Sequence, residues 1–274
     1  MSWIALRITP DTNRDGVIAA LFASGSQGVL EDGASLVTHF PPDAEVDAIR
    51  NGVLTADPRA EFSIGTAPVA DYSQWRASVS AHRIGDLVIA PPWLAAGLDP
   101  ATTIIVDPAM AFGTGEHATT RSVVLLMQGI VREGDVVADL GAGSAVLSIA
   151  AAKLGAARVA AIELDHDAIE NAEENVVANN VSDRVEVIEG DAATLLPLLA
   201  PVRVVLANIV SSVLIPLLPL LHSSLTPNGQ AILSGILTEE RDTFIASLNA
   251  GGWTIEEEVS EDVWWTVQIA IANQ

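Results

Sequence analysis

Five short apolar runs, at residues 136–140, 159–163, 185–189, 202–207 and 230–234, are rich in Val, Ile and Leu, and most are followed by a helical stretch. Strand followed by helix, repeated, calls for parallel strands, because a parallel pair needs a long crossover and the helices of the crossovers cover both faces of the sheet. The second half of the chain is therefore expected to be α/β, a doubly wound sheet closed by a hairpin over residues 253–272. The apolar stretch 202–221 is interrupted by Arg203, Asn208, Pro216 and Pro219. It reads as a buried strand and a helix, since a membrane span needs about 20 predominantly apolar residues.

The first part has fewer and shorter elements. Strands are expected at 3–8, 28–31 and 35–40, with a turn at Asp32 and Gly33, and helices at 15–23 and 43–53. This mixture suits a small α+β domain with helices on one face of an antiparallel sheet. Pro68, Pro91 and Pro92 break regular structure between the two parts. The expected organisation is an N-terminal substrate-recognition domain over 1–65, a linker over 66–95 and a larger domain over 96–274. A length of 274 residues accommodates two such cores.

Half the residues are hydrophobic and 18% are charged, the composition of a folded chain. There is no cysteine, which removes disulfides, thiolate nucleophiles and sulfur-ligated zinc. The formal charge of −22 argues against direct contact with nucleic acid, whose phosphates it would repel. It suits a basic protein partner, and equally a surface kept acidic for solubility. The first residues lack a basic segment followed by an apolar one, so no signal peptide is expected, and the protein is expected in the cytoplasm without membrane attachment.

The chemistry concentrates at Asp139, Leu140, Gly141, Ala142, Gly143 and Ser144, directly after the first parallel strand and opening a helix over 145–154. Glycines there let the backbone turn sharply and approach a ligand at the carboxyl edge of the sheet. Some twenty residues on, Glu163 ends the next strand, where a carboxylate can accept hydrogen bonds from both ribose hydroxyls of an adenosine. Asp165 and Asp167 read as helix caps. Asp191, after the third strand, has two readings: approach to an adenine amino group, or a turn residue. A nicotinamide site shares most of these features, but its fingerprint wants a third glycine where Val146 stands. His117 reads either as a general base or as a helix-start residue bonded to backbone. His39, His82, His166 and His222 form no cluster with metal-ligand spacing, and no metal is expected.

The segment from Asp107 through Phe112, Gly113, Thr114, Gly115, His117 and Thr120 resembles the signature loop of the bacterial methyltransferases that modify ribosomal protein L11 of the large subunit. The turn at Asp139–Ser144, the triplet Asn208, Ile209, Val210 and the triplet Gly235, Ile236, Leu237 resemble that family too, as do Leu21, Phe22, Ala23, Gly28, Pro92 and Trp93. Ala109 and Ala145 depart from it, standing where the family usually has glycine.

The resemblance implies a Rossmann-like methyltransferase domain that uses S-adenosylmethionine to methylate lysine or N-terminal amino groups of ribosomal protein L11. It implies that Thr120 and Gly141 contact the cofactor, that Glu163 holds the ribose, and that Asn208 lies beside the methyl group. Gly113, Gly143 and Asp191 are placed with them as cofactor-binding positions. Phe112 and Thr114 are expected at the lip of the methyl-transfer pocket, though Phe112 also suits ordinary core packing. Rival readings are a methyltransferase acting on another protein lysine or a small amine, and a cofactor-binding module without catalysis. A glutamine-amide methyltransferase would carry Asn-Pro-Pro-Tyr after the fourth strand, where Ile209 and Val210 stand instead.

Overall fold

The computed structural model describes residues 4–26, 29–41, 44–66, 79–107, 115 and 117–272. The chain divides into two compact units, Met1–Val79 and Ser80–Gln274. In the first, β1 (Ile4–Thr9), β2 (Val29–Asp32), β3 (Ser35–Phe40) and β4 (Glu61–Thr66) form an antiparallel sheet in the order β2-β3-β1-β4, with α1 (Arg14–Ala23) and α2 (Val46–Ala56). Alternation puts Leu6 and Ile8 of β1 and Leu36 and Phe40 of β3 on one face. That face packs on Val17 and Leu21 of α1 and on Ile49 and Val53 of α2, each pair spaced one helical turn. Burial of each such side chain contributes about 1.5–3 kcal/mol. β4 lies where no strand is expected from the sequence pattern. Its alternation is weak, because Ile64 is exposed even though it is paired with Leu6.

Asp57, at the end of α2, holds this unit's loops. Its carboxylate accepts backbone N–H bonds from Asp11 (2.8 Å), Thr12 (2.8 Å) and Asn13 (3.0 Å), closing the β1–α1 connection. Those bonds hold the carboxyl well below the usual carboxylate range, Thr12 and Asn13 contributing most.

The second unit begins with a small sheet: β5 (His82–Ile84) and β6 (Leu87–Ala90) fall inside the stretch read as linker, and β7 (Thr103–Ile105) follows it, with β6–β7 parallel. Its main sheet comprises β8 (Val136–Leu140), β9 (Arg158–Glu163), β10 (Val185–Glu189), β11 (Val202–Asn208), β12 (Leu225–Leu237), β13 (Trp253–Glu261) and β14 (Trp264–Ile271). The order is β10-β9-β8-β11-β12-β14-β13; the first five strands are parallel, and β14 is antiparallel to both its neighbours. The expected closing hairpin is β13–β14.

Alternate residues of the central strands feed two cores. Val137, Val159, Val204 and Leu206 pack with α3 (Ala118–Ile130), α4 (Val146–Lys153) and α5 (His166–Ala178). Ala138, Leu140, Val205 and Ala207 pack with α6 (Ala192–Leu199), α7 (Ser211–Ser224) and α8 (Arg241–Ala250). The apolar stretch 202–221 is β11 followed by α7, and no helix among the described residues is long and apolar enough to cross a membrane.

Because Asp57 is ionised more readily in the folded unit than in the unfolded chain, its contribution is complete above the ordinary carboxylate pKa and is lost as pH falls below it. Asp57→Ala is expected to lower the thermal midpoint of amide protection in β1 and β3 by roughly 5–10 °C at pH 7. The gap to wild type should close in strong acid; an unchanged midpoint, or a gap independent of pH, would remove Asp57 from this role.

Candidate active site

Strand β8 ends where the chain must reverse into α4, and three residues in five there take left-handed backbone: Gly141 (φ +72°), Gly143 (φ +53°) and Ala145 (φ +61°). Glycine adopts this region freely, whereas alanine does so at a cost of roughly 1–2 kcal/mol. Ala145 is one of the positions where the resembled family usually carries glycine, and the backbone supplies the reason. The turn's own N–H groups are satisfied from the neighbouring strand. Gly141 and Ala142 donate to Ile162 O at 2.9 and 3.0 Å, and Gly143 donates to Glu163 Oε2 at 2.7 Å.

The glycine turn and Glu163, 20 residues apart in the sequence, are thus in direct contact. The other Glu163 oxygen accepts from Leu164 N (2.8 Å) and Asp165 N (2.9 Å), so three of the carboxylate's roughly four acceptor sites are used. Gly190 N donates to Glu163 O at 2.8 Å, which brings the exit of β10 alongside. There Asp191 caps α6, accepting from Ala193 N (3.1 Å) and Thr194 Oγ1 (3.2 Å); Asp165 caps α5 in the same way. Asn208 is the last residue of β11. The register pairs Ala207 with Leu140 and Asn208 with Ser234, which sets Asn208 level with the glycine turn.

Phe112, Gly113 and Thr114 lie outside the described residues. The start of α3, which follows them, is fastened at several points. His117 caps the helix, its Nδ1 accepting from Thr119 N (3.4 Å) and lying 2.7 Å from Thr119 Oγ1, and its ring meets Trp264 edge-on at 5.1 Å. Of the two readings of His117, the helix-start role is the one this geometry fits. Arg121 Nε donates to Glu261 at 2.9 Å, tying α3 to the closing hairpin.

Asn175 and Asn179, outside every motif expected from the sequence, also support the site. Asn175 Nδ2 donates to Ser144 O (3.1 Å) while its Oδ1 accepts from Asp107 N (3.0 Å). Asn179 brackets Ile105, accepting from its N (2.8 Å) and donating to its O (2.6 Å). These side chains couple the glycine turn to the chain that enters the signature loop. The signal was present in the sequence: Asn171, Asn175 and Asn179 recur every fourth residue, the first two on one face of α5 and the third at its C-cap.

Two buried polar atoms at this edge have no hydrogen-bond partner among the described residues, Thr120 Oγ1 in the first turn of α3 and Asp139 Oδ1 near the end of β8. Buried polar groups are normally partnered, so both suit a site that receives a polar ligand. Burial pushes the Asp139 carboxyl up to about 7, against the bond that Ser148 Oγ donates to its other oxygen at 2.7 Å. A cavity of about 400 Å³ lies at the other end of the strands, among the first residues of β8 to β11, and takes no part in this site. Among the described residues, no three His, Asp or Glu side chains converge to hold a metal ion.

The strand order with its antiparallel β14, the glycine turn and the acidic residue closing the second strand define a doubly wound methyltransferase domain. The family model described as ribosomal protein L11 methyltransferase (PrmA) matches residues 12–271, and the chain belongs to that family. The ribosomal protein L11 methyltransferase of an Exiguobacterium species is 42% identical over 186 residues, covering 67% of this chain and 58% of its own length. That of Heliobacterium modesticaldum is 39% identical over 192 residues, covering 69% and 60%. The match thus spans about three fifths of these two relatives. The crystal structure of a ribosomal protein L11 methylase from Lactobacillus delbrueckii subsp. bulgaricus superposes with a TM-score of 0.64 at 28% identity, covering 71% of this chain and all of that one.

In the native protein Asp139 holds its proton up to about pH 7, whereas in the unfolded chain it ionises in the ordinary carboxylate range. The native state therefore binds the extra proton between those limits, and the contribution of this group to stability falls as pH rises through that window. Asp139→Asn keeps an acceptor for Ser148 without the charge. Its stability advantage over wild type, measured by denaturant unfolding without cofactor, should grow from about pH 4 to about pH 7 and level off above. An advantage that is flat with pH would show that Asp139 is ionised in the native state throughout.

Proposed function

We propose that this protein transfers methyl groups from S-adenosylmethionine to amino groups of ribosomal protein L11, at lysine side chains or the N-terminus, in the cytoplasm. The observation that carries the reading is the clamp of Glu163 on the Gly143 turn, with Asn208 level with that turn on the adjacent strand β11. When bound, the cofactor supplies an electrophilic methyl group. Glu163 keeps about one acceptor site for a ribose hydroxyl, and the hydroxyl of Thr120, without a partner among the described residues, and the bare backbone of Gly141 are suited to the cofactor's polar end. Gly113, Gly143 and Asp191 complete the cofactor side, Asp191 through whatever acceptor capacity its capping bonds leave.

Transfer to a neutral amine needs alignment more than proton transfer. The side-chain oxygen of Asn208 can accept a hydrogen bond from that amine and turn its lone pair toward the methyl carbon. Phe112 and Thr114 would form the lip through which the amine enters. The net charge of −22 favours a basic protein substrate over a nucleic acid, and the first unit is the substrate-recognition domain.

Glu163→Ala and Asn208→Ala should fail differently. The first is expected to weaken calorimetric binding of S-adenosylhomocysteine by about 1.5–3 kcal/mol, the scale of hydrogen bonds to a charged group. The second should lower turnover on ribosomal protein L11 at saturating cofactor by at least about tenfold, or about 1.4 kcal/mol of transition-state stabilisation. Full turnover in a folded Asn208→Ala protein would leave the amine-positioning group unidentified.

A fragment of residues 80–274 retains β5 to β7 and the whole site. It is expected to bind S-adenosylhomocysteine with the affinity of the full chain and to lose most activity on ribosomal protein L11. Undiminished activity would mean that the first unit does not recognise the substrate.

A further inference from the structure

Asn208 ends β11, so its place relative to the glycine turn depends on how the next residue is held. Ile209 is pinned from two sides. A β-carbon on Gly141 would lie 2.5 Å from Ile209 Cγ2, so the turn and this methyl meet at a distance that only a glycine allows. On the other side, a β-carbon on Gly235 would lie 2.6 Å from the carbonyl oxygen of Ile209, 2.8 Å from its carbonyl carbon and 3.1 Å from its nitrogen. That contact is backbone against backbone, with no flexible side chain to yield. Both glycines take positive φ, +72° and +80°. The pairing of β12 with β14 shifts register between Leu233 and Ile236, so Gly235 sits in an irregularity of its strand, beside Ser234, the partner of Asn208.

We propose that Ile209 is a positioning residue: a wedge between Gly141 and Gly235 that fixes the placement of Asn208 against the glycine turn. The proposal rests on the methyl-transfer reading above. Displacement by about 1 Å can cost on the order of a hundredfold in rate, so the contact that sets this spacing governs turnover without touching a reactant. The atom that matters is Cγ2, because it is the one that meets Gly141.

Ile209→Val keeps Cγ2. Ile209→Leu keeps the volume without the branch at the β-carbon, and Ile209→Ala removes both. Turnover on ribosomal protein L11 at saturating cofactor and substrate should stay within about twofold of wild type for Val and fall by about tenfold or more for Leu and Ala. Affinity for S-adenosylhomocysteine should change less than about threefold in all three, the mark of a spacing effect and not of lost cofactor binding. If the Ala protein does not fold, the contrast of Leu with Val carries the test.

Wild-type turnover in Leu, a loss ordered by volume alone, or a loss confined to affinity or KM would overturn the proposal. Absence of turnover in the wild type itself would strike the methyl-transfer reading instead. The wedge is then judged by amide exchange of residues 207–210 in the protein alone: faster exchange in Leu than in Val supports it, and equal exchange overturns it.

Discussion

The bond from Gly143 N to Glu163 joins the exits of two adjacent strands, and the geometry of the site follows from it. Where a parallel sheet ends, its last N–H and C=O groups lose their ladder partners and must be satisfied by something else. Here Ile162 O takes the N–H groups of Gly141 and Ala142, and the Glu163 side chain takes those of Gly143, Leu164 and Asp165. Without that carboxylate the β8 and β9 exits would need water or a ligand to satisfy three donors. The acid is therefore structural support for the turn as well as a candidate ribose acceptor. Removing it tests both roles at once, unless binding and turn geometry are read separately.

A second constraint comes from α5. Burying an asparagine without partners is unfavourable by about 1–3 kcal/mol, so Asn175 and Asn179 stay inside only because β7, Asp107 and Ser144 offer the complementary groups. The same bonds run from the glycine turn, through a helix, to the residue that opens the signature loop. Seen this way, the small sheet β5-β6-β7 is more than an appendage to the linker. Gln128 of α3 accepts from Asp86 N and donates to Ile84 O, fastening the β5–β6 hairpin, while Asn179 fastens β7. The chain is tethered on both sides of the loop, at Ile105 and Asp107 before it and at His117 and Arg121 after it.

The doubly wound sheet was legible because its central strands are buried on both faces and so stand out as apolar runs; 136–140 coincides with β8, and the edge strand β10, of which only Val185 is buried, still coincides with 185–189. The glycine turn and Glu163 were legible because backbone conformation and strand-exit position each restrict residue type. What escaped was structure whose signal is relational. The strands of the small sheet are three or four residues long and carry turn-like neighbours, and β4 exposes Ile64 where alternation would bury it. Asn175 looks like any surface asparagine until the helix face is drawn. Ile209 could be matched to a family triplet, yet its contact with Gly141 and Gly235 appears only when three strand ends are brought together.

Charge in the second unit also follows from the direction of its helices. In a doubly wound fold the helix N-termini lie at the carboxyl edge of the sheet and the C-termini at the other, so acids suit one edge and cations the other. Asp165 and Asp191 cap helices at the first edge. At the second, Arg132 donates to Gly129 O, Arg184 to Ala152 O and Lys153 to Pro100 O, so cations in a chain of net charge −22 are spent on carbonyls away from the site. The acidity around the glycine turn is thus partly the consequence of capping helices that the fold requires. A basic substrate would meet that field whether or not it was selected for the purpose. Such a field falls off within roughly 8 Å at physiological ionic strength, so it attracts by charge alone and any finer selectivity requires closer contacts.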